Sequence, residues 1–148
     1  MLRLLVEGSR ALEGRLHEGL RAGGYGDVRP AHYAVFRYLK PEGSRVTELA
    51  EEAGMTQQSM GELVSYLERR GYVERRPDPR DRRARIVLPT EAGLKGFAAG
   101  SGRLAEVEGA LAERMGEEWL EGLAGSLEEL AALLAGLDPG EADPTRKQ

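Results

Sequence analysis

The sequence predicts a mainly α-helical fold that carries one small β-hairpin. Apolar residues recur at spacings of three and four along most of the 148 residues, which is typical of amphipathic helices. Two short segments with β-branched residues flank a proline-containing turn near residue 79, which indicates the hairpin. The net charge is -4, yet "RRPDPRDRRAR" at 75–85 holds six arginines. Positive charge is therefore concentrated on the predicted hairpin.

Composition narrows the class of protein. Hydrophobic residues make up 41% and charged residues 31% of the chain, as in an ordinary globular protein. The chain has no cysteine, which excludes disulfides, thiolate nucleophiles and cysteine-based zinc sites. No apolar run reaches the roughly 20 residues of a membrane span, and the first residues are too quickly charged for a signal peptide. We expect a cytoplasmic protein without a membrane partner.

Charge differs strongly between regions. Residues 1–28 have net charge 0, residues 29–95 have +3 and residues 96–148 have -7. A chain that is acidic overall can bind nucleic acid when its cations share one face, because phosphates respond to the local potential.

Two helices are predicted before residue 45. The first covers residues 1–21 and ends at the glycine-rich "AGGYGD". The second covers about 30–40, because Pro30 suits a first helical turn and "KPEGS" contains two helix breakers. Leu5, Leu12, Leu16 and Leu20 lie at helical spacing in the first helix, and Val35, Phe36 and Leu39 give the second helix a buried face.

The next segment has the pattern of a helix-turn-helix. Thr47 is predicted to cap a short helix that ends near Ala53, and Gly54 makes the turn. Thr56 is predicted to cap a second helix over about 57–70. The apolar positions of this second helix are Met60, Leu63, Val64 and Leu67, and Gly71 ends it.

A β-hairpin is predicted directly after this motif. "YVER" (72–75) and "RIVL" (85–88) are strand-like, and "PDPRD" (77–81) has the composition of a turn. A hairpin in this position is a wing, so the sequence predicts a winged helix-turn-helix.

The remainder of the chain is predicted to be helical from Thr90 to about Leu137. A break near Gly116 divides it into two helices of unequal length, and the polar tail 138–148 is expected to be disordered. The apolar stripe consists of Leu104, Val107, Leu111, Met115, Trp119, Leu123, Leu127, Leu130, Leu134 and Leu137.

The segment "VTELAEEAGMTQQSMGELVSYLERRGYVERRPDPRDRRARIVLPTEAG" (46–93) resembles the winged helix-turn-helix of the MarR family of bacterial transcription regulators. The most specific parts are "LERRGYVER", the "DPRDRRA" wing and "TEAG". The resemblance implies a homodimer in which the terminal helices interlock, the recognition helix enters the major groove and the wing meets the minor groove. It also implies release of DNA by a small lipophilic acid or phenol.

We therefore expect an N-terminal dimerisation helix (1–28), a DNA-binding domain (29–95), C-terminal dimerisation helices (96–137) and the tail. The predicted function is that of a dimeric repressor that binds a pseudo-palindromic operator and is released by a small-molecule effector. The alternative is a winged-helix protein-interaction module without DNA binding, which would lack salt-dependent DNA affinity. No enzyme constellation, metal set or cofactor motif is present in the sequence, so we expect neither catalysis nor a cofactor.

Exposed polar residues at the start of the recognition helix are candidates for contact with bases. Amide side chains bind adenine bidentately, and arginine suits a narrow minor groove. Glu62 could accept from a cytosine amino group or repel wrong sequences; with Gly61 it departs from the family pattern. The candidate DNA-binding residues are Thr47, Gln57, Gln58, Ser59, Glu62, Arg69, Arg80, Arg82 and Arg83.

Other residues leave alternatives open. Arg75 and Arg76 are either phosphate contacts or ion-pair partners, and Asp81 is expected to brace the wing through an arginine. Pro89, which replaces a leucine common in the family, is expected to shorten the second wing strand. Arg15, His32 and Phe36 are candidate effector-binding residues, although a satisfied, partly buried histidine also accounts for His32.

Overall fold

The computed structural model describes residues 1–136; residues 137–148, with the predicted helix end at Leu137 and the predicted disordered tail, lie outside the described part. A short 3-10 turn, Pro30–His32, precedes the second helix. The described elements are α1 (Leu2–Ala22), α2 (Tyr33–Tyr38), α3 (Val46–Glu52), α4 (Gln57–Arg69), β1 (Val73–Asp78), β2 (Asp81–Pro89), α5 (Glu91–Met115) and α6 (Glu117–Gly136). The predicted fold class, a winged helix-turn-helix with flanking helices, is confirmed.

The chain divides into two compact units, and the first is Met1–Ala105. Its main core joins the inner faces of α2, α3 and α4 to the hairpin. The fully buried members are Val35, Leu49, Ala50, Met60, Val64, Leu67, Val73 and Val87. Three of the four predicted apolar positions of α4 are among these residues, and the fourth, Leu63, is partly buried against them, so the 3.6-residue periodicity identified the face of α4 that turns inward.

The two helices of the motif begin differently. Thr56 caps α4 as predicted, with its hydroxyl accepting the backbone N–H of Ser59 at 3.1 Å. The predicted cap at Thr47 is wrong, because α3 begins at Val46 and Thr47 lies within its first turn. The backbone N–H of Arg45 instead donates to Glu48 at 3.0 Å.

The second helix is shorter than predicted. Residues 30–40 were expected to be helical, but the α-helix ends at Tyr38 and Leu39 has extended backbone angles. Pro41 follows two residues later, and Gly43 has φ +97, where a Cβ would lie 2.9 Å from the side chain of Ile86. The extended segment carries Ser44 to β2, where its backbone exchanges hydrogen bonds of 2.8 and 3.0 Å with Val87.

The hairpin is confirmed, but both strands are longer than predicted. The expectation that Pro89 shortens the second strand is wrong, since Pro89 occupies its last position and pairs with Val73. A proline is tolerated there because the end of an edge strand needs no further N–H donor. The register passes from the pair Pro77 and Arg85 directly to the pair Asp78 and Asp81, so residues 82–84 bulge out of the ladder.

The second unit begins at Glu106 and contains the remainder of α5 and all of α6. The predicted break is confirmed, because Gly116 has φ +96 and separates helices of 25 and 20 residues. Helix α6 has no buried residue among those described, and Trp119, Leu123 and Leu127 are about two-fifths exposed. This unit therefore has an apolar helical face without a covering element of its own.

Candidate nucleic-acid interface and cavity

The first turn of α4 presents polar side chains to solvent. Gln57, Gln58 and Ser59 are all exposed, whereas Met60 immediately after them is fully buried. The Ser59 hydroxyl accepts from the Thr56 hydroxyl at 2.9 Å, which orders this end of the helix. The three side chains thus lie at the exposed N-terminus of a helix whose opposite face is fixed in the core, as base-reading helices require.

Glu62 lies one turn further along the same exposed face. Its carboxylate accepts from the amide nitrogen of Gln58 at 3.4 Å. The side-chain oxygen of Gln58 therefore remains available as an acceptor, and the second Glu62 oxygen does as well. Gly61 beside them leaves room, since a methyl group there would meet only Val46 at 4.0 Å.

The tip of the hairpin carries the arginines that the sequence singled out. Arg82 and Arg83 are exposed in the bulged segment, and no ion pair within residues 1–136 engages either side chain. The backbone N–H of Arg83 donates to Asp81 at 3.0 Å, which fixes the tip. Arg80 is held differently, with its guanidinium 3.4 Å from Asp78 and 3.8 Å from Glu48.

A buried carboxylate, Asp78, braces the hairpin against the helix-turn-helix. One oxygen accepts the backbone N–H of Arg80 at 2.8 Å, and the other meets the guanidinium of Arg45 at 2.6 and 2.7 Å. The hydrogen bond from the Arg80 backbone, with those from the Arg45 and Arg80 side chains, lowers the pKa of Asp78 to about 2. The brace predicted for Asp81 is therefore made by Asp78, three residues earlier.

Arg75 and Arg76 both form ion pairs, one of the two roles that the sequence left open for them. The Arg75 guanidinium binds Glu68 and donates to the Ser65 hydroxyl at 3.0 Å. Arg76 pairs with Glu74 at 2.6 Å. Arg75 thereby fastens β1 to the last two turns of α4.

Two further candidates lie on exposed surfaces. Arg69 is exposed in the last turn of α4, and Thr47 is exposed in the first turn of α3. Arg70, next to Arg69, points elsewhere, since its Nε lies 2.8 Å from Asp27. Sequence reasoning did not anticipate the Arg70–Asp27 pair, because its partners lie 43 positions apart in the chain.

A cavity of about 300 Å³ lies within the first unit, between α1, α2 and α5. Three glycines of α5 form one wall, because a Cβ at Gly93, Gly96 or Gly100 would lie within 3 Å of Tyr72, Tyr25 or Leu16. The cavity is lined by Leu16, Leu20, Tyr25, Val28, Tyr33, Phe36, Arg37, Tyr72, Gly93, Gly96, Phe97, Gly100, Ser101 and Leu104.

Of the three candidate effector residues, Phe36 lines the cavity. His32 does not: its ring stacks on Tyr66 at 4.4 Å between centroids, and Nδ1 accepts the backbone N–H of Arg29 at 3.0 Å. Burial, followed by the charge of Arg29, lowers the pKa of His32. Arg15 also lies outside the wall and pairs with Glu18 at 3.0 Å.

The cation that lines the cavity is Arg37, which the sequence analysis missed. Its position next to Phe36 in α2 was the available signal. Tyr33, buried in the same wall, has its hydroxyl 3.0 Å from Nδ1 of His17, and burial raises its pKa. The cavity is thus mainly apolar, with three phenol groups and one guanidinium.

Within residues 1–136, no three histidine, aspartate or glutamate side chains are grouped so that they could hold a metal ion. None of the helices in the same part of the chain is sufficiently long and apolar to span a membrane.

The exposed start of α4 and the braced arginine tip define a winged helix-turn-helix of the DNA-binding type. Residues 27–84 match the model of the MarR family. The transcriptional regulator HosA of Escherichia coli O111:H- is 34% identical over 106 residues, which cover 70% of this chain and 72% of HosA. The chain belongs to the MarR family of transcription regulators.

Solved structures agree with this assignment. CouR from Rhodococcus jostii RHA1, bound to p-coumaroyl-CoA, is 25% identical with a TM-score of 0.69, over 86% of this chain and 89% of CouR. The transcriptional repressor CouR bound to a 23-mer DNA duplex aligns over the same shares with a TM-score of 0.70 and 24% identity, a likeness that concerns the fold alone.

Proposed function

We propose that this transcription regulator is a homodimeric repressor that reads a pseudo-palindromic operator with α4 and the hairpin tip. The observation that carries the proposal is the pairing of an exposed polar helix start with two arginines that no ion pair in the described chain engages. An arginine held in an internal ion pair must weaken that pair in order to bind a phosphate. Arg82 and Arg83 need no such pair to be broken before they meet DNA.

Each candidate residue has a specific role in this proposal. Gln57, Gln58 and Ser59 contact base edges in the major groove, and Glu62 accepts from a cytosine amino group. Arg82 and Arg83 enter the minor groove. Thr47, Arg69 and Arg80 contact phosphates, with Arg80 partly neutralised by Asp78.

Dimerisation is supported by the apolar surfaces that the chain leaves exposed. Leu2, Leu4 and Leu5 of α1 are exposed, as are Leu133 and Leu134 of α6. A surface of this kind is unfavourable on an isolated subunit, so a second copy is the partner that we propose for it. A two-fold dimer would place two α4 helices on half-sites about one helical turn apart.

The cavity supports regulation by a small ligand. Its volume lies at the lower end of the range for small-molecule sites, and Arg37 can neutralise a carboxylate or another anionic substituent. CouR, to which the chain is similar, was solved with p-coumaroyl-CoA. We propose a lipophilic aromatic acid or phenol as the effector, with Phe36 and Arg37 as contacts.

The test is fluorescence anisotropy on the DNA upstream of the protein's own gene, beside an unrelated duplex, at several salt concentrations. Arg82→Ala/Arg83→Ala should weaken binding at least tenfold and, because each subunit of the dimer loses two charges, reduce the slope of log affinity against log salt by about four. The matched control, Arg10→Ala/Arg114→Ala, removes the same charge from α1 and α5 and should keep the wild-type slope.

The outcomes separate the candidate functions. Loss in the hairpin variant alone supports the proposal. Equal loss in both double variants would mean that only net charge matters. Absence of binding to either duplex at low salt would overturn the DNA-binding proposal and favour a protein-interaction module.

A further inference from the structure

Tyr72 is in contact with the cavity, the recognition helix and α5 at once. Its backbone N–H donates to the Leu67 carbonyl at 2.9 Å and thereby closes the last turn of α4. Its carbonyl accepts the N–H of Thr90 at 3.1 Å, immediately before α5. Its ring lines the cavity and lies 5.5 Å from that of Tyr25, between centroids. A displacement of this ring would therefore alter contacts at the C-terminal end of α4.

Asp27 joins Tyr72 to two other residues at the same end of α4. Its Oδ1 accepts the Tyr72 hydroxyl at 2.9 Å, and its Oδ2 meets Arg70 Nε at 2.8 Å. Its backbone carbonyl accepts the Tyr66 hydroxyl at 3.1 Å. A single residue before α2 thus holds three side chains from the end of α4 and the turn that follows it.

The carboxylate of this network is partly shielded from water, whereas the Arg70 side chain is 51% exposed. The Asp27 side chain is 21% exposed, which strengthens its charged hydrogen bonds relative to those at an open surface. Burial and the hydrogen bond to Asp27 raise the pKa of Tyr72 to about 12, so the phenol remains a donor at neutral pH. The Arg70 guanidinium also lies over the Tyr66 ring, 5.8 Å from its centroid.

We propose that Tyr72 and Asp27 are positioning residues that couple the cavity to the recognition helix: a ligand that displaces the Tyr72 ring releases Asp27 from Arg70 and lets α4 tilt. This inference rests on the proposed function, because it assigns the route by which cavity occupancy alters DNA affinity. The observation behind it is the continuous chain of contacts from the cavity wall through Tyr72 and Asp27 to Arg70.

The geometry makes a small displacement sufficient. Helix α4 has 13 residues and is therefore about 20 Å long. Asp27 contacts its C-terminal end, and the proposed base-reading residues lie at its N-terminal end. A tilt of about 5° at the C-terminus moves the N-terminus by roughly 2 Å, which exceeds the tolerance of a hydrogen bond. The ligand and DNA then weaken each other's binding by the same factor.

The experiment measures the coupling directly, in the full chain. The DNA affinity of each protein is determined without and with 8-anilinonaphthalene-1-sulfonate, an aromatic anion that suits the cavity, at concentrations that saturate that protein's own site. The proteins are wild type, Tyr72→Phe, Asp27→Asn and the control Tyr38→Phe, a tyrosine that packs on the main core and does not line the cavity. Ser101→Phe, which fills the cavity from α5, serves to assign the probe to the cavity.

In wild type and Tyr38→Phe, the probe should weaken DNA binding by about tenfold, within the usual range of coupling free energies. In Tyr72→Phe and Asp27→Asn, the probe should weaken DNA binding by less than about threefold. Ser101→Phe should bind DNA more weakly without any probe, and this loss should shrink when it is combined with Tyr72→Phe. Because the comparison of Ser101→Phe with Ser101→Phe/Tyr72→Phe uses no probe, it does not depend on how tightly each variant binds the probe.

Equal probe effects in wild type and Tyr72→Phe would overturn the coupling and leave the proposed function intact. Bound probe without any effect on wild-type DNA affinity would overturn it as well. If Ser101→Phe did not reduce probe binding, the cavity would not be the ligand site, and the effector part of the proposed function would fail together with this inference. If neither the wild type nor any variant bound DNA, with or without the probe, the result would contradict the DNA-binding function itself.

Discussion

At the scale of single residues, the arrangement around the cavity depends on glycines that looked scattered in the sequence. Gly93, Gly96 and Gly100 follow a spacing of three and four on α5, so they share one face. That spacing was visible in the sequence. What it could not indicate was the partner of each glycine, because Tyr72, Tyr25 and Leu16 approach from other elements.

Gly93 allows the closest of these approaches. A Cβ at this position would lie 2.0 Å from the carbonyl oxygen of Tyr72. Gly93→Ala therefore forces the first turn of α5 away from the Tyr72 backbone. We expect Gly93→Ala to lower the free energy of unfolding by about 3 kcal/mol or more. Gly102→Ala in the same helix meets no atom within 4 Å and should raise it by up to about 1 kcal/mol. Urea unfolding of both variants gives the answer, and equal effects would contradict the packing of α5.

His32 makes stability depend on pH. Burial, with the charge of Arg29, lowers its pKa, so the folded state favours the neutral ring that accepts from the Arg29 N–H. The unfolded chain binds the proton more readily. The contribution of neutral His32 to the free energy of unfolding is therefore present above about pH 6.5. It is lost as the pH falls below that value, by up to about 1.4 kcal/mol per pH unit.

We expect the free energy of unfolding of the wild type to fall relative to that of His32→Phe between about pH 7.5 and 5.5. Phenylalanine keeps an aromatic ring against Tyr66 but does not titrate, and His17 is present in both proteins. Parallel curves over this range would show that His32 does not contribute.

At the scale of elements, helical periodicity predicted most of the structure. The 3.6-residue pattern identified α1, α4 and both C-terminal helices, and Gly116 marked the break between the last two. Local pattern failed where tertiary contacts decide the outcome. Helix α2 ends early because the segment that follows it pairs with β2. Both strands extend into the predicted turn, where Arg45 holds Asp78.

The brace at Asp78 is the element-scale feature that the sequence did not reveal. Its partner Arg45 lies 33 residues earlier, and the neighbouring "DPRD" offers two aspartates with equal local merit. Only the packing of the hairpin against α3 distinguishes the two carboxylates.

Replacing each aspartate in turn tests the brace. Asp78→Asn and Asp81→Asn remove the same negative charge, which alone would favour DNA binding. We expect Asp78→Asn nevertheless to weaken binding by roughly tenfold, because an unbraced hairpin must be ordered on the DNA. The DNA affinity of Asp81→Asn should stay within about threefold of the wild-type value. Anisotropy on the same duplex measures both, and stronger binding by both variants would contradict the brace.

At the scale of the whole molecule, charge and apolar surface are divided between regions of the chain. The arginines of residues 75–85 lie on the hairpin, whereas residues 96–148 carry a net charge of -7. The exposed leucines of α1 and α6 are the surface that we assign to a second copy. Two-fold symmetry would then impose a repeat on the DNA sequence that is bound.

Selection from a pool of random-sequence duplexes, followed by sequencing of the bound fraction, shows whether the protein recognises a two-fold repeat in DNA. We expect enrichment of a pseudo-palindrome with half-sites about 10 base pairs apart, centre to centre. The base opposite Glu62 should change in a parallel selection with Glu62→Gln. Enrichment of a single unrepeated site would contradict the dimer, and a bound pool indistinguishable from the starting pool would contradict sequence-specific recognition by α4 and the hairpin.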